Sequence, residues 1–231
     1  MPTQTAPWSA TPIDGAASDE PVAHHFDTLQ QQQEAVTLGM WVFLATEIMF
    51  FGGAFAAYTV YRREHEAAFH AASRELDLVL GGVNTLVLLT SSLTMAFAVA
   101  AAGMRKKGLT VLMLAATMAL GAAFLGIKGV EYYHKYEHHL LPAFGLPFAW
   151  HEPAQAGGAK LFFSLYLGMT GLHALHMVIG IALMGIFAVR VWRSADVGHR
   201  RQGTEVLGLY WHFVDVVWIY LFPLLYLIDR S

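Results

Sequence analysis

The sequence contains no cysteine. This absence excludes structural disulfides, thiolate zinc sites, iron–sulfur clusters and the C-x-x-C-H attachment of a c-type haem. It also excludes a binuclear copper centre built on cysteines.

Charged residues are scarce as well. They make up 13% of the chain, whereas hydrophobic residues make up 56%, and the mean hydropathy is +0.46. A soluble domain carries about 25% charged residues, so the composition favours a membrane protein. The net charge of -3 indicates no nucleic-acid partner. No Gly-rich phosphate loop, nucleophile elbow or zinc-protease motif is present.

Five apolar runs follow a polar start and define the predicted domain, which extends over 34–231. Each run meets the roughly 18-residue threshold for a membrane span. They are rich in Leu, Met, Ala and Gly, which favours helices over barrel strands. We therefore predict an all-α integral membrane protein, a bundle of five transmembrane helices. The predicted spans are 35–61, 78–104, 108–134, 161–190 and 206–228.

Residues 1–33 are rich in Pro, Ala, Gln and acidic residues. They lack the basic-then-apolar start of a signal peptide. We predict a flexible N-terminal tail that ends in an amphipathic or frayed segment.

The basic residues bear on the orientation in the membrane. Seven lie on the side of the N-terminus and seven on the other side, so the total does not decide. The loops at 103–108 and 190–203 are the densest in basic residues and lie next to helix ends, where the positive-inside rule works best. We therefore predict a cytoplasmic N-terminus and a periplasmic C-terminus.

The last span carries two polar residues, His212 and Asp215. They are three residues apart and so share one helix face. A carboxylate inside a span costs roughly 2.5–3.5 kcal/mol on insertion scales, so it rarely faces bare acyl chains. Asp215 and His212 either join this helix to its neighbours or have a direct functional role.

Glu47 lies near the middle of the first span. We expect its carboxyl to be buried and either protonated or hydrogen-bonded. Four roles are open to this carboxyl. It can serve as a proton relay, line a lipid cleft, contact a partner subunit, or form a hydrogen bond inside the bundle.

His173 and His176 are three apart in the fourth span, so both can face one neighbouring helix. They do not form an H-E-x-x-H motif, and hydrogen bonding between helices is the favoured role, with Gly171 and Gly180 leaving room. A haem held by His173 and His212 is arithmetically possible. A haem–copper catalytic core needs about six histidine ligands, which the spans of this chain do not supply.

Three further residues are candidates for packing or lipid contact. Asn84, in the second span, belongs to a mixture of small and polar residues that is typical of tight helix interfaces. Glu131 lies near the end of the third span and is expected to act in helix packing. Arg190 ends the fourth span, where a guanidinium can reach the membrane surface and bind a lipid phosphate.

Five stretches together resemble one family, subunit III of the haem–copper oxidases, which include cytochrome c oxidase. They occur in the order of the family and cover nearly all of the membrane part. The stretches are ATEIMFF (Ala45–Phe51), NTLVLLTSS (Asn84–Ser92), KGVEYYHKY (Lys128–Tyr136), GLHALHMVIG (Gly171–Gly180) and YWHFVDVVW (Tyr210–Trp218).

The resemblance implies a non-catalytic subunit of a proton-translocating oxidoreductase complex of the aerobic respiratory chain, in the bacterial inner membrane. Haems and copper are expected in partner subunits and none in this chain. Subunit III packs on subunit I in a complex that also contains subunit II, holds phospholipid, and sustains turnover and proton uptake. By the same resemblance, Glu47 and His212 lie on a lipid-facing cleft with Arg190 as a headgroup partner, and Asp215 is a contact within the bundle or with subunit I.

The chain departs from the family in helix number. Many members have seven helices, whereas this chain resembles the short, five-helix form that lacks the first two. The sequence leaves two alternative functions open. One is the accessory subunit of nitric oxide reductase, and the other is a small membrane protein that binds b-type haem or quinone.

Overall fold

The computed structural model describes residues 26–142, 147–194 and 201–228, and within them every regular element is helical. Five of the helices are long and apolar enough to cross a membrane, which confirms the predicted all-α, five-span architecture. The helices are α1 (Leu29–Glu64), α2 (Glu66–Arg74), α3 (Leu78–Gly103), α4 (Lys107–Glu137), α5 (Ala156–Arg193) and α6 (Arg201–Tyr226), with a 3₁₀ turn at Pro153–Gln155 before α5.

Helix α1 begins inside the segment predicted as a tail up to residue 33. Thr28 caps it, since its hydroxyl accepts a hydrogen bond from the backbone N–H of Gln31. Gln30 then donates to Glu34 one turn further on, at 2.9 Å. Glutamine is a good helix former, but it is polar, so a hydropathy pattern does not mark it as part of a span. The predicted start of the first helix was therefore too late. The rest of the predicted tail, residues 1–25, lies outside the described residues.

The third, fourth and fifth predicted spans also stop short of a helix end, whereas the second agrees with α3 to within one residue. Helix α4 continues to Glu137, α5 starts at Ala156, and α6 starts at Arg201. An apolar run marks only the part of a helix that suits the hydrocarbon core, whereas backbone hydrogen bonding continues through polar residues beyond it. At its other end, helix α6 is shorter than predicted, since it ends at Tyr226, two residues before the predicted end.

Helix α2 is absent from the prediction because it is short and polar. It buries one face, which includes Phe69 and Ala72, against α5. The Phe69 ring lies 5.5 Å from Tyr58 of α1 and 5.4 Å from Phe162 of α5, measured between centroids. Helix α2 therefore closes the end of the bundle where α1 ends and α5 begins.

Helices α3, α4, α5 and α6 form a ring in which each contacts two neighbours, and α1 lies outside this ring against α5 and α6. The residues that α1 buries are Leu44, Phe51 and Tyr58. They are seven apart, which is the spacing of a narrow seam between two helices. The remaining surface of α1 is exposed and apolar, so it faces lipid or another chain.

The core of the ring is built around Trp211, which is fully buried. Two glycines make room for its indole. A Cβ at Gly121 of α4 would lie 2.8 Å from the ring, and one at Gly180 of α5 would lie 3.0 Å from it. Gly180 thus leaves room as expected, but Gly171 does not, since a Cβ there would meet nothing within 4 Å.

Candidate functional site

The most extensive polar group in the membrane part is centred on Lys128 and Glu131 of α4. Both side chains are nearly inaccessible, and Lys128 Nζ lies 3.0 Å from Glu131 Oε2. The same Nζ donates to the hydroxyls of Tyr166 (3.1 Å) and Tyr226 (2.7 Å). Both hydroxyls in turn donate to Glu131 Oε1, at 2.8 Å and 2.5 Å. The group therefore joins α4, α5 and α6.

Aromatic rings surround the ammonium. Its nitrogen lies 5.0–5.5 Å from the ring centroids of Tyr132, Tyr166, Trp218 and Tyr226. The faces of Tyr132 and Trp218 attract a cation at such distances by about 0.5–2 kcal/mol each, whereas Tyr166 and Tyr226 contact the ammonium through their hydroxyls. The rings thus offset part of the cost of removing this charge from water.

Every hydrogen-bond donor of this group has its acceptor within the group. An ammonium has three donors, and Glu131, Tyr166 and Tyr226 accept one each. Each tyrosine hydroxyl also donates its only proton to Glu131. No donor is left over within the group, so it is suited to fixing three helices rather than to passing a proton onward.

Glu131 was expected to act in helix packing, whereas Lys128, although it falls within the predicted span 108–134, was used only in the count of basic residues for orientation. The structure places Lys128 inside α4, 3% exposed. Tyr166 and Tyr226 were missed entirely. The available signal was the spacing of three between Lys128 and Glu131, which puts opposite charges on one helix face.

Glu47 of α1 contacts His176 of α5 instead of standing alone. Its Oε2 lies 3.2 Å from His176 Nε2, and both side chains are mostly buried. His176 Nδ1 lies 2.9 Å from the carbonyl oxygen of Leu172. The hydroxyl of Tyr210 on α6 donates to the backbone carbonyl of His176 at 2.9 Å and so joins α6 to α5 at the same residue.

The Leu172 carbonyl fixes the tautomer of His176. A carbonyl oxygen only accepts, so His176 Nδ1 must carry a hydrogen. His176 Nε2 then faces the Glu47 carboxyl, which gives that carboxyl a polar neighbour in the middle of the span.

His212 and Asp215 lie between α6 and α3. His212 is half-buried and its Nδ1 lies 2.8 Å from the hydroxyl of Ser92. Asp215 is 2% exposed, and neither carboxyl oxygen has a hydrogen-bond partner among the described residues. Ser92 is close enough to act on the Asp215 carboxyl, but no hydrogen bond of normal geometry joins them.

His173 and Asn84 occupy the centre of the ring. The imidazole of His173 lies between Phe124 and Trp218, 5.4 Å and 5.2 Å from their centroids. Neither of its nitrogens has a partner within the described part of the chain, so the expected hydrogen bond between helices is not observed for His173. Asn84 Nδ2 donates to the carbonyl of Phe124 at 3.4 Å and so joins α3 to α4.

The residues expected at one lipid-facing cleft are not in direct contact. Glu47 pairs with α5, and His212 contacts α3. On α6, Tyr210 and His212 are two residues apart, so their side chains lie about 160° apart around the helix axis. Arg190 is exposed near the end of α5. The described residues contain no group of three or more His, Asp or Glu side chains arranged to hold a metal ion.

The protein-family model for cytochrome c oxidase subunit III matches residues 19–229, which include every helix described above. The chain belongs to the cytochrome c oxidase subunit III family. This is a family without metal sites of its own.

Individual members of the subunit III family are similar over most of the chain. Cytochrome c oxidase subunit 3 of Thermostichus vulcanus is 34% identical over 229 residues, which is 94% of this chain and 100% of that protein. The corresponding subunit of Synechocystis is 36% identical over 82% of this chain and 74% of its own length. Subunit 3 of the cytochrome bo(3) ubiquinol oxidase of Pseudomonas aeruginosa is 30% identical, over 89% of this chain and 91% of that protein.

These likenesses favour the oxidase subunit over both alternatives, the nitric oxide reductase subunit and the small haem or quinone protein.

Proposed function

We propose that this chain is the non-catalytic third subunit of a haem–copper terminal oxidase in the inner membrane of a bacterium. The match of the subunit III model to residues 19–229 carries the proposal. The haems and copper belong to partner subunits I and II, and this chain contributes helix packing. Its polar side chains support this role, because the largest group of them saturates its own hydrogen bonds within α4, α5 and α6.

Phospholipid is the second proposed ligand of this subunit. Helix α1 presents exposed apolar side chains along most of its length, and acyl chains suit such a surface. Arg190 lies in the last turn of α5, where its guanidinium can bind a lipid phosphate. We propose that lipid held in this way helps subunit I to sustain turnover and proton uptake.

A single purification tests the proposal. An affinity tag on this chain is expected to recover a complex that contains haem and copper. The chain is then separated from its partners and examined by metal analysis and visible spectroscopy, and neither haem nor copper is expected in it. A stoichiometric Soret band on the separated chain would show that it binds haem itself and would contradict the proposal.

A further inference from the structure

Three charged side chains line one pocket at the end of α1, and no ion pair joins them among the described residues. Arg62 and Arg63 belong to the last turn of α1, Glu66 to the first turn of α2, and Thr59 completes the wall. Neither arginine has a hydrogen-bond partner within the described part of the chain. Glu66 is 77% exposed, and its Oε1 lies 3.8 Å from His70. Opposite charges that line one pocket without pairing suit a ligand that carries both signs.

The pocket is large enough and open enough for a small headgroup. Its volume is about 360 Å³, which falls within the range of about 300–1,000 Å³ that is usual for ligand pockets. Thr59, Arg63 and Glu66 are all exposed and Arg62 is half-buried. A ligand can therefore reach the charged groups from the surface of the bundle.

The arginines lie at the depth of lipid phosphates. The apolar part of α1 extends over 35–61, so its middle is close to Glu47. From Glu47 to Arg62 is about 22 Å along the helix axis. The hydrocarbon core ends about 15 Å from its middle, and the headgroup region ends at about 20–22 Å. The pocket thus faces the headgroups of one leaflet, and Arg190 at the end of α5 faces those of the other.

An open apolar face of α1 leads from the pocket towards the middle of the membrane. Met49, Ala56 and Arg63 are seven apart, so they share one face of the helix, and all three are exposed. A Cβ at Gly52 or Gly53 would meet nothing within 4 Å. An acyl chain can lie along this face while the phosphate to which it is linked contacts the arginines.

Glu66 bears on which headgroup fits the pocket. Guanidinium groups bind a phosphate by paired, charge-assisted hydrogen bonds. A carboxylate on the same wall attracts an ammonium and repels a second anion. A headgroup that carries a phosphate and an ammonium therefore matches both signs of charge, whereas a headgroup that ends in hydroxyls matches the arginines alone.

We propose that Arg62, Arg63 and Glu66 bind a phospholipid whose headgroup carries an ammonium. The phosphate lies on the two guanidinium groups, the ammonium lies on the Glu66 carboxylate, and an acyl chain follows the open face of α1. The inference rests on the proposed function, because it adds a lipid site in the leaflet opposite to that of Arg190 and names the class of its headgroup.

Lipid titration of the purified complex tests the site. The complex is washed with detergent and titrated with a short-chain phosphatidylethanolamine or phosphatidylglycerol, and native mass spectrometry counts the bound lipids. The double change Arg62→Gln and Arg63→Gln should remove one bound lipid per complex. Lys160→Gln is the matched control, since it removes an exposed cation of α5 at the same end of the bundle, and it should remove none.

A second variant tests the headgroup class. The lipid that depends on the arginines should be phosphatidylethanolamine in preference to phosphatidylglycerol by roughly two- to fivefold, the factor expected for one exposed ion pair. Glu66→Gln should abolish that preference and leave the binding of phosphatidylglycerol unchanged. An equal concentration of inorganic phosphate should not displace the lipid, because it has neither an ammonium nor an acyl chain.

The outcomes separate this inference from the proposed function. If the arginine double change keeps every lipid, or both headgroups bind equally well, the inference is wrong. Displacement by inorganic phosphate would show a simple anion site and would also overturn it. In each of these cases the proposed function stands if Arg190→Gln still removes a lipid. If no form of the complex retains phospholipid, the lipid part of the proposed function fails and the inference fails with it.

Discussion

At the scale of single residues, the bundle contains buried ionisable side chains in two different arrangements. Lys128 and Glu131 neutralise each other within a closed set of hydrogen bonds. Glu47 lies 3.2 Å from His176 across the contact between α1 and α5. In each case an ionisable side chain has a polar partner beside it, as a low-dielectric interior requires.

Lys128→Met should destabilise the chain strongly. It leaves Glu131 as a buried carboxylate with no cation, and breaking a buried pair in this way costs about 3–5 kcal/mol. The double change Lys128→Met with Glu131→Gln removes the stranded charge and should recover part of that loss. The measurement is the free energy of unfolding in detergent. Lys160→Met, at an exposed position of α5, is the control, and a loss as large as that of Lys128→Met would contradict the account.

Glu47→Gln and Glu47→Lys should behave differently. A glutamine amide can donate to His176 Nε2 and keep the pair neutral, so that variant should assemble normally. A lysine places a cation at the middle of the span with no anion beside it, which the membrane disfavours. The amount of chain recovered with the complex is the measurement. Equal recovery of both variants would show that Glu47 is not in a charge-sensitive position.

Spacing within one helix predicts which residues can share a face but not the neighbour that each one meets. His173 and His176 are three apart, yet His173 lies between Phe124 and Trp218 and His176 contacts Glu47 of α1. Spacing alone placed His212 and Asp215 on one face of α6. Spacing could not reveal which helix lies opposite each of them, because that depends on the ring of α3 to α6. For the same reason the partners of Lys128, which are tyrosines on α5 and α6, were not predictable from the α4 sequence.

At the scale of helices, close packing in the ring depends on small residues opposite large ones. Gly121 and Gly180 face the indole of Trp211, and Gly81 faces Phe222 and Tyr226, to which a Cβ would come within 3.0 Å. Without these glycines α3, α4 and α5 could not approach α6 so closely. Helix α1 has no such positions, since a Cβ at Gly39, Gly52 or Gly53 meets nothing within 4 Å.

Gly121→Ala should destabilise the bundle by about 1–3 kcal/mol, the usual cost of overpacking a rigid core. The new Cβ would lie 2.8 Å from Trp211, which is fully buried and cannot move aside. Gly126→Ala on the same helix is the matched control, because its Cβ meets nothing within 4 Å, and it should be neutral or stabilising. Melting temperatures in detergent provide the comparison, and equal effects at both positions would contradict this packing.

Hydropathy predicted which helices exist but not where they end. The five apolar runs gave the five long helices, since length and apolarity are local properties of the chain. Helix α2 was not predicted because only tertiary contact with α5 makes its nine residues a stable helix. The start of α1 was not predicted because it depends on the cap by Thr28 rather than on apolar side chains.

At the scale of the whole molecule, the structure changes the count of basic residues that bears on orientation. Lys128 and Lys135 are buried, 3% and 7% exposed, so they are not loop charges. Seven basic residues then remain on the side of the N-terminus and five on the side of the C-terminus. The prediction of a cytoplasmic N-terminus thus rests on an excess rather than on a tie.

Reporter fusions check this orientation. A reporter that is active only in the periplasm should give signal when fused after Ser231 and none when fused after Lys107. The predicted topology puts the two positions on opposite sides of the membrane, so each serves as the control for the other. Signal at Lys107 with none at Ser231 would reverse the orientation.

The central claim is that this chain supports the activity of an oxidase without carrying the chemistry. The direct measurement is a time course of oxygen uptake by the purified complex, with the natural chain and with the double change His212→Leu and Asp215→Asn. We expect a near-normal initial rate, weaker retention of the chain in detergent and faster inactivation during turnover. Complete loss of oxygen uptake from the first seconds, with the partner haems intact and the chain still bound, would contradict it.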